Sequence, residues 1–166
     1  MLAVQSVVGF EPTFGIIANF LQEAINVANE KYGSLQNCKL DLVAKFECAF
    51  YAAKSSIYEI SPLEQEDASL NQFFQTVMLL ELDCIKYNRT KLQLIEFAAK
   101  RLIVNEEIMS KMFFFSAQHL SNERLEEDAG EAIITMCEYW SSFVIKNFDS
   151  FLECKGVMGF LIFDGQ

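Results

Sequence analysis

TKLQLIEFAAKRLIVNEEIMSKMFFFSA, residues 90–117, reads as two helices joined at an asparagine. In the first, Leu92, Ile95, Ala99 and Leu102 recur in steps of three and four, the spacing that gathers side chains on one helical face. This predicts a helix over 89–104. Asn105 then stands in the N-cap position, where a side-chain oxygen can accept from a first-turn N–H. Glu106 and Glu107 place negative charge at the positive end of the helix that follows. That helix, 106–120, carries Ile108, Met109, Met112, Phe113, Phe114 and Phe115 and has almost no polar face. A helix apolar nearly all round belongs in the middle of a soluble bundle. The stretch predicts an all-α fold around a hydrophobic central helix.

The same periodicity extends in both directions. Phe14, Ile17, Leu21, Ala24 and Ala28 predict a helix over 12–32, with Gly33 as its stop. Leu42, Phe46, Ala49, Ala53 and Ile57 predict one over 37–59. Pro62 and residues 64–67 mark a polar loop, and Ser69 with Gln72 forms a capping box opening a helix over 69–87. A break at Tyr87-Asn88 separates it from the helix quoted first. Beyond residues 121–130, an acidic connector or a frayed helix start, Ile133, Met136, Trp140, Phe143 and Val144 predict a helix to about 148. Ser150 and Glu153 suggest a capping box for a short helix to Gly156, and residues 160–163 form a last apolar turn. The expectation is about eight helices in a single domain spanning residues 1–166.

Composition bounds what such a bundle can do. The chain has 166 residues, 52% hydrophobic, enough for one buried core. Its net charge of −10 repels phosphate backbones and anionic lipid, which excludes nucleic acid and electrostatic membrane docking. The five cysteines are odd in number and contain no C-x-x-C pair, so reduced thiols are expected. No charge-free stretch approaches the ~18 apolar residues of a membrane span, so no C-terminal membrane anchor is expected. Catalytic and metal-binding patterns are missing as well. His119 is the single histidine and reads as a helix-end cap or a satisfied, partly buried group, and the acidic run from Glu123 to Glu131 lacks the spacing and turn glycine of a calcium loop. No catalytic residue, metal site or cofactor is assigned, and the chain is read as a non-enzyme.

The C-terminal half carries a family pattern. EYWSSFVIKNFDSFLECKGVMGF, residues 138–160, resembles the second homology motif of the Bcl-2 family of apoptosis regulators, W-x-x-x-x-G-G-W after an amphipathic sixth helix. Phe151 matches the first Trp, Gly156 and Val157 the Gly pair, and Met158 the second Trp. Residues 90–117 lie without gaps on that family's fourth and fifth helices. Its first motif, N-W-G-R, then falls on Ile108-Met109-Ser110-Lys111, where only Lys111 keeps the chemistry of its counterpart. The degenerate third motif falls either on Leu42…Phe46-Glu47 or on Met78…Asp83…Ile85. Degenerate motifs of this kind look like those of virus-encoded members.

The resemblance implies a binding module. Such a protein holds the amphipathic death-motif helix of a pro-apoptotic partner, of the Bim type or Bak and Bax themselves, in a hydrophobic groove. Lys111 would pair with the ligand's Asp, with Arg101 as a supporting cation. Ala98, Leu102, Met109, Phe113 and Phe114 would line the groove, joined by Phe46 and Phe50. The implied activity is anti-apoptotic, in the host-cell cytoplasm and at mitochondria through partners. An open groove is an exposed apolar patch, so a homodimer that covers it is also expected. The alternatives are a Bcl-2-like inhibitor of innate signalling adaptors and an unrelated helical oligomerisation protein.

Overall fold

The computed structural model describes residues 10–32, 40–58 and 68–152, and over these the chain is helical with no strand. The helices are α1 (Phe10–Tyr32), α2 (Leu40–Tyr58), α3 (Ala68–Leu79), α4 (Ile85–Arg101), α5 (Glu106–His119), α6 (Glu126–Tyr139), α7 (Ser141–Lys146) and α8 (Phe148–Leu152). The class is all-α. Each long helix buries its periodic stripe: Phe14, Ile17 and Leu21 on α1, Phe46, Phe50 and Ile57 on α2, Leu70, Phe73 and Val77 on α3. These side chains join those of α4, α5 and α6 in one contiguous core.

The main packing contacts run α1–α2–α4–α6–α5–α3 and back to α1, a closed ring of six helices. α5 is therefore one member of the ring rather than a helix enclosed by the others, which corrects the expectation of a central helix at 106–120. It buries one face, and Phe114 and Phe115 on the other remain half-buried. α4 buries more of its length, Tyr87, Thr90, Lys91, Leu92, Leu94, Ile95, Ala98 and Ala99, because α2 and α6 flank it. Apolar density pointed to α5. The width of the covered arc decides for α4.

Three boundaries also differ from the periodicity reading. α3 ends at Leu79 instead of continuing to 87, and α4 begins at Ile85. Between them Leu80 and Leu82 are buried while Glu81 and Asp83 are exposed, an alternation that favours extended chain over helix. The predicted helix through Trp140 is broken there into α6 and α7, and the Trp140 indole N–H donates to the Leu102 carbonyl at 3.3 Å. α8 starts at Phe148, so Ser150 lies inside it rather than capping it. Gly33, Pro62, Glu153, Gly156, Val157, Met158 and residues 160–163 lie outside the described residues.

Candidate partner-binding face

α5 starts where the sequence places it. The Asn105 side-chain oxygen accepts from the Ile108 N–H at 2.9 Å, and the Asn105 N–H donates to Asn71 Oδ1 at 2.9 Å. With its start fixed, the register follows. Ile108, Met109, Met112, Phe113, Ser116 and Ala117 face the core. Glu107, Lys111, Phe114, Phe115 and Gln118, spaced by three and four, form the opposite stripe and are all half-buried or exposed. Lys111 Nζ pairs with Glu107 at 2.6 Å, and its side chain is 35% exposed. An exposed helix pair of this spacing contributes only about 0.3–0.5 kcal/mol, so a ligand carboxylate can displace Glu107.

The expected site residues separate into two groups. Phe113 stacks on Phe151 with ring centroids 3.9 Å apart, and Phe114 meets the same ring edge-on at 5.6 Å. The two motif-bearing regions thus meet at Phe151. Phe46 and Phe50 instead pack their rings against Tyr87, at 6.3 and 5.3 Å. Ala98, Leu102, Met109, Phe113, Phe46 and Phe50 are all buried, at 8% exposure or less. These six are core in this structure, not the walls of an open groove. Arg101 is the last residue of α4 and half-buried. Among the described candidates, Lys111, Phe114 and Arg101 are half-buried.

Periodicity alone missed the α3–α4 junction. The carbonyl of Leu80, released where α3 stops, accepts from Tyr87 Oη at 3.1 Å and from Lys91 Nζ at 2.8 Å. Lys91 is fully buried, and its Nζ lies 4.3 Å from the Phe115 ring centroid. Burial brings its pKa down to about 7, with Glu81 acting in the opposite direction. Burial likewise pushes the Tyr87 phenol upward. The readable signal was register, since Lys91 falls four residues after Tyr87 and four before Ile95 on the core face. An ion pair also joins α2 to α4: the buried Glu47 carboxylate pairs at 2.9 Å with Lys86, whose own side chain is exposed, and the hydrogen bond and charge of Glu47 raise the Lys86 pKa.

Next to Lys91 an open notch of about 470 Å³ is lined by Glu81, Leu82, Asp83, Asn88, Phe115, Gln118 and His119. His119 Nδ1 lies 2.8 Å from the Phe115 carbonyl, so the helix-end reading of this histidine agrees with its place at the last residue of α5. Across the molecule, Arg89 bridges α4 to α6 through Asp128 at 3.0 Å and the Arg124 carbonyl at 2.7 Å. Chemically, the α5 stripe offers a cation beside two aromatic rings and ends at a carboxylate-lined notch. Such a surface can bind and hold a protein segment. No protein-family model matches the chain, and comparison with curated proteins and with solved structures gave no match either.

Proposed function

We propose that the chain is a non-enzymatic, Bcl-2-like anti-apoptotic protein that captures the amphipathic death-motif helix of a pro-apoptotic partner. The observation that supports this reading is the outward stripe of α5, where Lys111 stands one turn from the half-buried Phe114 and Phe115. An amphipathic helix laid along such a stripe buries its apolar anchors on the rings and turns an acidic residue toward Lys111. An ammonium lacks the two-pronged geometry of a guanidinium, so the contact is weaker than an Arg would make. A second copy laid on the same stripe gives the homodimer, in competition with ligand.

Burial of the other six apolar candidates favours a second reading, a Bcl-2-like inhibitor of innate signalling adaptors that works through its outer surface. Titrating labelled death-motif peptides separates the two, with light scattering recording the oligomeric state. The first reading expects saturable binding tighter than about 10 μM. It also expects Lys111→Glu to weaken that binding about tenfold with the melting temperature unchanged. No binding across a broad peptide panel removes the first reading and leaves the second.

A further inference from the structure

α1 and α3 stand side by side in the ring, with the Phe14 and Phe73 rings 5.5 Å apart, edge to face. Charge is missing from both. α3 is the one described helix without a charged residue, and residues 68–80 as a whole carry none. Residues 12–22 of α1, the half that includes Phe14, carry none either. In a chain that is 22% charged, the exposed positions are where charge ordinarily collects.

Here amides and apolar side chains fill those positions. On α1 the exposed residues of the neutral stretch are Ile16, Asn19, Phe20 and Gln22. On α3 they are Ala68, Gln72, Gln75 and Leu79, which recur at i, i+4, i+7 and i+11 as one stripe along the helix. Three of the eight are large and apolar: Ile16 is 49% exposed, Phe20 41% and Leu79 69%. Glu23 and Glu81 stand just beyond the two neutral stretches, and both are exposed.

Charge and symmetry together select the occupant. Two copies of net charge −10 repel each other, and a two-fold contact brings like side chains from the two copies together. Carboxylates and ammoniums are poor partners for their own kind. An amide is a good one, because it donates and accepts at once, and an apolar side chain needs only a dry neighbour. We infer that the neutral face of α1 and α3 is a self-association surface that receives a second copy of this chain. It lies on other helices than the α5 stripe, so it does not rest on helix capture and stays closed when that stripe holds a ligand. Two helices wide and about 18 Å long, it belongs with the small, transient interfaces. Its Kd is accordingly on the order of tens of micromolar.

Sedimentation velocity on the full chain, from low to hundreds of micromolar, tests this. The expected result is a monomer–dimer equilibrium that strengthens with added salt, because repulsion between the copies is what salt screens. Asn19→Asp with Gln75→Glu keeps side-chain size and puts charge on the face. It should raise the dimer Kd about tenfold or more, with the circular dichroism melt confirming the fold. Ser141→Asp with Ser142→Asp, which adds the same charge on α7, should change the Kd less than about twofold. A chain that stays monomeric throughout overturns the inference and leaves the face to a different partner. Equal weakening by both double variants, or no weakening by the first, overturns it as well. So does association that weakens with salt, the mark of an ion-paired contact. A death-motif peptide that binds and separates the copies would move the contact to the α5 stripe, overturning the inference while keeping helix capture. Absence of peptide binding with the dimer intact would defeat helix capture alone.

Discussion

α4 and α5 invert what their compositions suggest. α4 carries Lys86, Arg89, Lys91, Lys100 and Arg101 within a single helix and yet is buried along most of its length, between α2 and α6. α5 is the richer in Met and Phe, and it leaves two phenylalanines half-buried on its outer stripe. Hydrophobic content thus says how much a helix can bury, while its neighbours decide how much it does. The outer stripe of α5 is only partly covered, Phe114 by the Phe151 ring and Phe115 by Lys91 and His119.

The largest test of this contrast is a pair of truncations. Ile95→Ala on α4 removes a side chain with no exposure and should cost about 2–5 kcal/mol in denaturant unfolding. Phe114→Ala, though it removes more atoms, should cost only about 1 kcal/mol, because its ring is half-covered in the free chain. Equal losses would make the outer stripe of α5 part of the core.

Lys91→Met is the next in size. The buried ammonium costs stability that a methionine of similar volume does not, and Tyr87 still satisfies the Leu80 carbonyl. The variant should be more stable than the parent by about 1–4 kcal/mol near pH 6. Because the folded pKa is lowered from 10.5 to about 7, the unfolded chain binds more protons between those values. Parent stability therefore gains on the variant as pH rises from 7 toward 9, and below 7 the difference is constant. Parallel pH profiles would show that Lys91 is solvated.

The smallest effect separates the two helix starts. α5 has a side-chain cap at Asn105, whereas Cys84, at the start of α4, makes no such bond. Asn105→Ala should cost about 1 kcal/mol, and Cys84→Ala almost nothing by comparison. A melting series on the two variants measures the gap.

Much of the helical skeleton was readable from residue spacing, since Phe14, Ile17, Leu21 and Phe46 through Ile57 sit inward as their periodicity requires. The Asn105 cap was equally readable, because capping is a local event among a few neighbouring residues. What spacing could not carry were events that depend on a distant partner. The end of α3 depends on Tyr87 and Lys91 reaching back to Leu80, and the break at Trp140 on an indole that donates to Leu102. Of the site, Lys111 and Phe114 were named through the family resemblance alone, since residue spacing read the whole helix as apolar and central. Phe46, Phe50 and Ala98 were not distinguishable from core, because a groove wall and a core wall are made of the same residues. The notch escaped notice because its residues come from two separate stretches, 81–88 and 115–119.

The ring of helices also has an order in time. Its contacts join each helix to the one two places along the chain, α1 to α3, α2 to α4, α3 to α5 and α4 to α6, with α1–α2 and α5–α6 as the two closing pairs. During synthesis, α1 and α2 can pair as soon as both have left the ribosome. α4, by contrast, has its second neighbour only once the chain has been made through Tyr139. At ordinary elongation speeds that interval is on the order of seconds. Throughout it, the most deeply buried helix of the finished protein has one flank bare. The most vulnerable period in the life of this fold is its birth.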